Sequence, residues 1–363
     1  MFSNIYQGRK VLVTGHTGFK GSWLSAWLLE LGAEVAGYSI DLPSEPCNFE
    51  ALKLKNRMLH VEGDVRDPRS LQQTLDDFKP EIVFHLAAQA LVRKSYEDPV
   101  LTFETNALGS LYMLQAIREC ASISAGVFIT SDKCYHNSEW LWGYRETDPL
   151  GGADPYSASK ACAEIIASAY MKSFFTSEDL FVATARAGNV IGGGDWAADR
   201  IIPDCARAWS RGESLPIRNP KATRPWQHVL EPLGGYLHLG AHLFNESESA
   251  RNQAFNFGPH SGVIQPVEEL IEEFCRYWKE PKWDVVPPDP NQKESNLLKL
   301  NCDKALTLLG WEATLDFESS IRFTGEWYQA YYEQGPEAAA ELSLKQIEEY
   351  VARARRANLS WTQ

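Results

Sequence analysis

The 363-residue sequence lacks the features of several protein classes. Its seven cysteines (47, 120, 134, 162, 205, 275 and 302) are odd in number, scattered, and nowhere spaced Cys-x-x-Cys, so neither a disulfide framework nor a metal site is expected. A reducing compartment fits that pattern. No uncharged apolar run approaches the ~18 residues that would span a bilayer. The opening residues, MFSNIYQGRKVLVTG, lack an apolar core followed by a small-residue cleavage site, so an unexported, cytoplasmic chain is expected. Basic residues are outnumbered: 35 Lys and Arg face 48 Asp and Glu, for a net charge of −13. Beyond Arg353, Arg355 and Arg356 there is no cationic cluster, which argues against nucleic acid and against anionic membranes as partners. Internal repeats and low-complexity tracts are absent as well.

What is present is a globular composition, with 44% hydrophobic and 23% charged residues. Short β-branched runs alternate with helical patterns: VLVTG (11–15), WLSAWLLELG (23–32), EVAGYSI (34–40), IVFHLAA (82–88), GSLYMLQAIREC (109–120) and GVFITS (126–131). That alternation predicts parallel strands with crossover helices, and continuous apolar strands predict a sheet covered on both faces. The expected fold class is α/β, a doubly wound parallel sheet of Rossmann type with a smaller, discontinuous α/β lobe. After about residue 190 the texture turns irregular, with GGGD (192–195), PIRNP (216–220) and VPPDPN (286–291). Two later segments still read as regular elements, a helix over 227–244 and a strand over 253–258, both able to return to the first sheet. Residues 1–190, joined by 226–258, are therefore expected to form a dinucleotide domain, with 191–225 and 259–363 forming a substrate domain. The tail 341–356 spaces Leu344, Ile347 and Val351 along one helical face and reads as a surface helix.

Gly15, Gly18 and Gly21 sit between a predicted strand and a predicted helix. Glycine there permits a tight turn and lets backbone N–H groups approach a pyrophosphate at the helix N-terminus. The next strand ends at Asp41, about 20 residues on, where a carboxylate would hold an adenosine ribose. A carboxylate would repel a 2′-phosphate, so NAD is favoured over NADP; a solvated turn residue is the alternative reading. Asp64 and Val65 follow the third strand, where adenine would lie, and Asp64 could equally cap the next helix.

Tyr156 and Lys160 stand four apart in PYSASKACAEIIASAY, a helical pattern opened by Pro155, and so share one helix face. An ammonium beside the phenol would lower its pKa and let it accept an alcohol proton. The strand GVFITSDKCY delivers Ser131, Asp132 and Lys133 to the carboxyl edge of the sheet, where open α/β folds bind ligands.

Together GHTGFKG (15–21), FHLAAQ (84–89), TNALGSLYML (105–114), TSDKCY (130–135), YSASK (156–160), RAGNVIGGGD (186–195) and RPWQHV (224–229) make the chain resemble the extended short-chain dehydrogenases/reductases, and among them the nucleotide-sugar 4,6-dehydratases. Most dTDP-glucose and GDP-mannose members carry Glu where Lys133 stands. Asp132-Lys133, with GHTGFKGSWL and RAGNVIGGGDW, is similar instead to the branch that acts on CDP-glucose. That branch opens the route to CDP-linked 3,6-dideoxyhexoses of bacterial surface polysaccharide, including lipopolysaccharide O-antigen.

The resemblance implies a lyase reaction, CDP-glucose to CDP-4-keto-6-deoxyglucose and water, with hydride moved from C4 to C6 through NAD. Tyr156 would take the 4-OH proton, aided by Ser131 and Lys160, and Asp132 would serve as the acid at C6. Lys133 would be either the C5 base, with its pKa below the ordinary lysine range, or only a stabiliser of the enolate. The cofactor would touch Gly15, Thr17, Gly18, Phe19, Gly21, Asp41, Asp64, Val65, Leu86, Ala87, Ala88, Gln89, Thr105, Tyr156 and Lys160. The substrate would meet Gln89, Ser95, Arg186, Asn189, Arg218, Arg224 and His228, with Trp226 either joining them or packing. Arg186 could instead tie the lobes together, and the Trp-bearing stretch 136–154 could shape the sugar pocket or pack across a lobe interface. A homodimer or homotetramer is implied as well. A UDP-sugar epimerase or decarboxylase would need Tyr156 and Lys160 but not Asp132-Lys133, and a dinucleotide-sensing regulator would need neither pair.

Overall fold

In the computed structural model, residues 1–176, 180–260, 262–287 and 297–363 are described. The first half of the chain lays down β1 (Lys10–Thr14), α1 (Phe19–Glu30), β2 (Glu34–Ser39), α2 (Asn48–Ala51), β3 (Leu59–Glu62), α3 (Pro68–Phe78), β4 (Ile82–His85), α4 (Val92–Glu97), α5 (Pro99–Phe103), α6 (Gly109–Glu119), β5 (Ala125–Ile129), α7 (Pro155–Ser173) and β6 (Phe181–Arg186). A single π turn, Glu104–Leu108, joins α5 to α6. Asp67 and Asp154 cap α3 and α7, each followed by a proline whose missing N–H costs nothing at a helix start.

Alternate residues of β1 enter two cores. Val11 and Val13 pack with Trp23, Leu24 and Trp27 of α1, whereas Leu12 packs with Leu71 and Leu75 of α3 and Met113 and Leu114 of α6. Burial on both faces explains why the strands read as continuous apolar runs rather than alternating ones.

The second half supplies β7 (Val190–Ile191), α8 (Ile201–Ser210), β8 (Ser214–Ile217), β9 (Thr223–Arg224), β10 (Gln227–His228), α9 (Leu230–Phe244), β11 (Gln253–Asn256), β12 (Gln265–Pro266), α10 (Val267–Cys275), β13 (Lys282–Val285), α11 (Asp303–Leu309), α12 (Phe317–Gln334) and α13 (Pro336–Arg356). One seven-stranded parallel sheet runs β11-β6-β5-β4-β1-β2-β3. Strand order reverses between β1 and β4, the switch point at which such sheets open a ligand crevice at their carboxyl edge.

Two element boundaries differ from expectation. The helix foreseen over 227–244 begins at Leu230, because Gln227 and His228 first pair in parallel with Val190 and Ile191. The tail helix begins at Pro336 and is no mere surface element: Ile347, Tyr350 and Val351 are buried, and the Tyr350 hydroxyl donates to Glu231 Oε2 at 3.0 Å. Its three terminal arginines fall in the last turn, where the helix dipole favours cations. Of VPPDPN, residues 288–291 lie outside the described residues. No helix among the described residues is long and apolar enough to cross a membrane.

Candidate active site

Between β1 and α1 the glycines are required by contact. Gly15 has φ +73°, and a Cβ there would come within 2.8 Å of the Ala87 nitrogen. A Cβ on Gly21 would sit 2.1 Å from the Gly15 carbonyl oxygen. Gly18 caps α1 without a side-chain bond, so the first-turn N–H groups face outward at the positive end of the helix dipole. This cradle fits the diphosphate of a dinucleotide such as NAD.

Thr17 is buried and donates its hydroxyl to the Asp41 carbonyl at 2.7 Å, while the Asp41 side chain stays exposed beyond β2. Phe19, Leu86, Ala87, Ala88 and Thr105 are half-buried. Val65 is buried, its methyl filling the space above Gly109. Asp64 does not cap α3, as one reading had it, because Asp67 holds that position. Its carboxylate pairs with Arg66 at 2.6 Å; partial burial raises its pKa, but the Arg66 bonds outweigh that and hold it below the usual range.

The catalytic candidates meet beyond β5. Asp132–Cys134 form one 3₁₀ turn, in which the Ser131 hydroxyl donates to Asp132 Oδ1 at 2.9 Å and accepts the Lys133 N–H at 3.2 Å. Lys133 is half-buried. Across from the turn, α7 carries Tyr156 and Lys160, both buried. Burial, not a neighbouring ammonium, sets the phenol: its pKa is pushed up to about 12, with a hydrogen bond from Ser131 and the charge of Arg200 pulling the other way. The expected lowering by Lys160 is thus overturned for the protein alone. Burial also lowers Lys160 to about 8, against the opposing charge of Glu164.

Three neighbours were not singled out by sequence. Burial, with Arg200 and Lys160 nearby, lowers Lys20 to about 7, although Asp132 opposes it. Lys20 reaches the Tyr236 hydroxyl at 3.5 Å, and Arg200 pairs with the buried Asp195 at 2.9 Å. A lysine in the first turn of a helix, where the dipole disfavours cations, was the available signal for Lys20. Tyr236 and Arg200 left none, since only the fold brings them to this edge. The site thus offers a phenol and a hydroxyl for one substrate oxygen, and a carboxyl group beside a lysine amino group for a neighbouring carbon centre.

Residues 12–324 match the family described as GDP-mannose 4,6 dehydratase. The chain belongs to that family. A CDP-glucose 4,6-dehydratase of Salmonella typhimurium is 46% identical over 333 residues, covering 90% of this chain and 92% of the relative. Among solved structures, an epimerase of Methanothermobacter thermautotrophicus superposes with a TM-score of 0.79 at 23% identity, covering 92% and 96% of the two chains. A UDP-glucose 4-epimerase of Thermus thermophilus, in complex with NAD, gives 0.72 at 27% identity, covering 88% and 99%. Epimerases and dehydratases thus share this fold.

Several residues expected to meet the substrate are engaged by protein groups in this structure. Arg186 is 3% exposed and spends its guanidinium on Glu164 Oε2 and the Tyr135 hydroxyl, each at 2.7 Å, so it ties β6 to α7 and to the segment after β5. His228 is fully buried between Trp23 and Phe323, held neutral by burial that lowers it to about 3. Ser95 is fully buried too; its hydroxyl donates to the Val92 carbonyl at 2.6 Å and accepts the Tyr156 N–H at 3.2 Å, anchoring the start of α7. The Gln89 side chain is occupied with Leu91 and Thr102, shaping its own loop. Trp226 packs, donating its ring N–H to the Gln265 carbonyl at 3.2 Å.

Asn189, at φ +54°, Arg218 and Arg224 are half-buried. Arg224 donates to the Thr223 carbonyl at 2.9 Å. The stretch 136–154 packs across the two halves: Tyr144 stacks on Tyr135 and Trp140, and its backbone bonds Lys299 and Asn301. Leu141 and Trp142 nevertheless remain exposed.

Proposed function

We propose that the chain is an NAD-dependent hydro-lyase that converts CDP-glucose to CDP-4-keto-6-deoxyglucose and water. The observation that carries this reading is the convergence, at one sheet edge, of Tyr156 and Lys160 on α7 with the Ser131-Asp132-Lys133 turn after β5. An epimerase needs the first pair alone. The choice of CDP-glucose follows the Salmonella relative.

NAD, held at the glycine turn of Gly15, Gly18 and Gly21, would supply the hydride acceptor for C4 and the hydride donor for C6. Tyr156 takes the proton of the 4-hydroxyl, with Ser131 donating to the same oxygen. A phenol near 12 stays protonated at neutral pH, so the charge of Arg200 and the Ser131 hydroxyl must favour its ionised form during the reaction. The resulting 4-ketone acidifies the C5–H. Lys133, as the neutral amine, removes that proton while Asp132, in its protonated form, protonates the departing C6 hydroxyl to release one water, and the Lys133 ammonium so formed returns the proton to C5 as C6 is reduced.

Asn189, Arg218 and Arg224 are proposed to face the nucleotide diphosphate, with Asp41 at the adenosine ribose of the cofactor. On this reading residues 1–190 with 226–258 hold the cofactor, and 191–225 with 259–363 hold the sugar nucleotide. A cytoplasmic homodimer or homotetramer, supplying CDP-linked 3,6-dideoxyhexoses for surface polysaccharide, completes the proposal.

The test is incubation with NAD and each of CDP-, UDP-, GDP- and dTDP-glucose carrying deuterium at C4, followed by mass spectrometry. Deuterium at C6 of a dehydrated sugar, from the CDP form alone, is the expected result. No water lost from any substrate, with inversion at C4 instead, would overturn the lyase reading in favour of epimerisation.

A further inference from the structure

One buried carboxylate touches both catalytic segments. Glu164 lies one helical turn beyond Lys160 on α7 and is 2% exposed. Its Oε1 accepts from the hydroxyl of Thr130, the residue before Ser131. Its Oε2 accepts from the Thr184 hydroxyl at 2.9 Å and from Arg186 at 2.7 Å, both on β6. Arg186 continues the chain, donating to the Tyr135 hydroxyl, which donates in turn to Asn256 Oδ1 on β11 at 2.8 Å. A carboxylate bound by three donors in a dry interior is held ionised and fixed in position.

We propose that Glu164 is a positioning residue of the catalytic centre, registering the Tyr156–Lys160 helix against the strand end that carries Ser131–Lys133 and keeping the Lys160 side chain an ammonium. This rests on the reading of Tyr156 and Lys160 as the hydride-transfer pair. The groups facing Lys160 are Lys20 from α1, His85 from β4, Cys134 after β5, and Tyr156 and Glu164 on its own helix. Burial keeps His85, Cys134 and Tyr156 uncharged near neutral pH, and Lys20 is itself a cation or neutral. Glu164, held ionised by Arg186 despite burial, is therefore the anion of the set. A staple that served stability alone would have no need to stand beside the lysine rather than at the far end of α7.

The experiment uses full-length protein without cofactor or substrate, labelled with ¹³C at lysine Cε. The Lys160 resonance is assigned by its loss in Lys160→Met, and its titration midpoint is compared between the wild type, Glu164→Gln and the double variant Glu164→Gln/Arg186→Met. Removing the anion should lower the midpoint by about one pH unit in both variants. Where Gln at 164 alone leaves Arg186 buried without a counter-charge and prevents folding, the double variant decides. A wild-type midpoint in the folded double variant overturns the proposal. Because this readout needs no turnover, failure of the dehydratase reading would show separately, in the deuterium experiment.

Discussion

Beyond β5, the polar groups Ser131, Asp132, Tyr156 and Lys160 are each at most 9% exposed, and burial moves the phenol and the ammonium of this set far from their ordinary titration ranges. Beyond β2 and β3, at the other end of the same crevice, Asp41 is exposed and the Asp64 carboxylate is already paired with Arg66. The difference follows from the work proposed for each end. Moving a proton requires groups whose charge is felt through a low dielectric and whose positions do not wander. Gripping a ribose requires only that acceptors be present when the cofactor arrives, and water can occupy them until then.

The contrast can be broken or sharpened by substitution. At the buried end, Tyr156→Phe should lower both C4 oxidation and water loss by ~10³-fold or more, read as NADH formation and as product by mass spectrometry. Retained oxidation would remove Tyr156 from its role. Lys133→Ala should spare C4 oxidation but slow water loss by ~10²-fold, and normal dehydration would assign the C5 proton to another group. Between the two ends, Gly21→Ala forces a methyl against the Gly15 carbonyl, at 2.1 Å before any shift. It should cost ~1–3 kcal/mol of stability, seen in urea unfolding, and weaken NAD binding by calorimetry in parallel. At the exposed end, Asp41→Ala should weaken NAD by no more than ~10-fold and leave the unfolding midpoint unchanged, because it removes hydrogen bonds to the ribose and no packing. If Asp41→Ala instead unfolds the chain, the comparison itself fails.

Much of this was legible beforehand for a physical reason. The strands β1, β4 and β5 are buried on both faces, so their sequences are apolar throughout, and the helices between them show the longer period. Tyr156 and Lys160 are local partners on one helix, and Ser131, Asp132 and Lys133 are neighbours in the chain. What sequence left open depended on distant partners. Arg186 looked like a phosphate ligand because nothing near it in sequence announces Glu164, 22 residues earlier, as its counter-ion. His228 looked available because the aromatic rings that enclose it come from α1 and α12. Ser95, read as either a sugar contact or plain loop polarity, accepts the N–H of Tyr156, the first peptide N–H of α7. In each case the side chain has the right chemistry, and the tertiary fold had already committed it elsewhere.

Gly188, just past β6, has no chemistry of its own, yet a Cβ there would fall 2.0 Å from the Asp132 carboxylate. The acid's location is therefore defined in part by an empty volume contributed from the segment that follows β6. A lineage drifting by mutation could retain every proton-carrying side chain at this edge and still fall silent through this one position. Any survey that ranks relatives as active by their Ser, Asp, Lys and Tyr alone would count such a chain as competent. Reading this edge means treating a missing methyl group as one of its working parts.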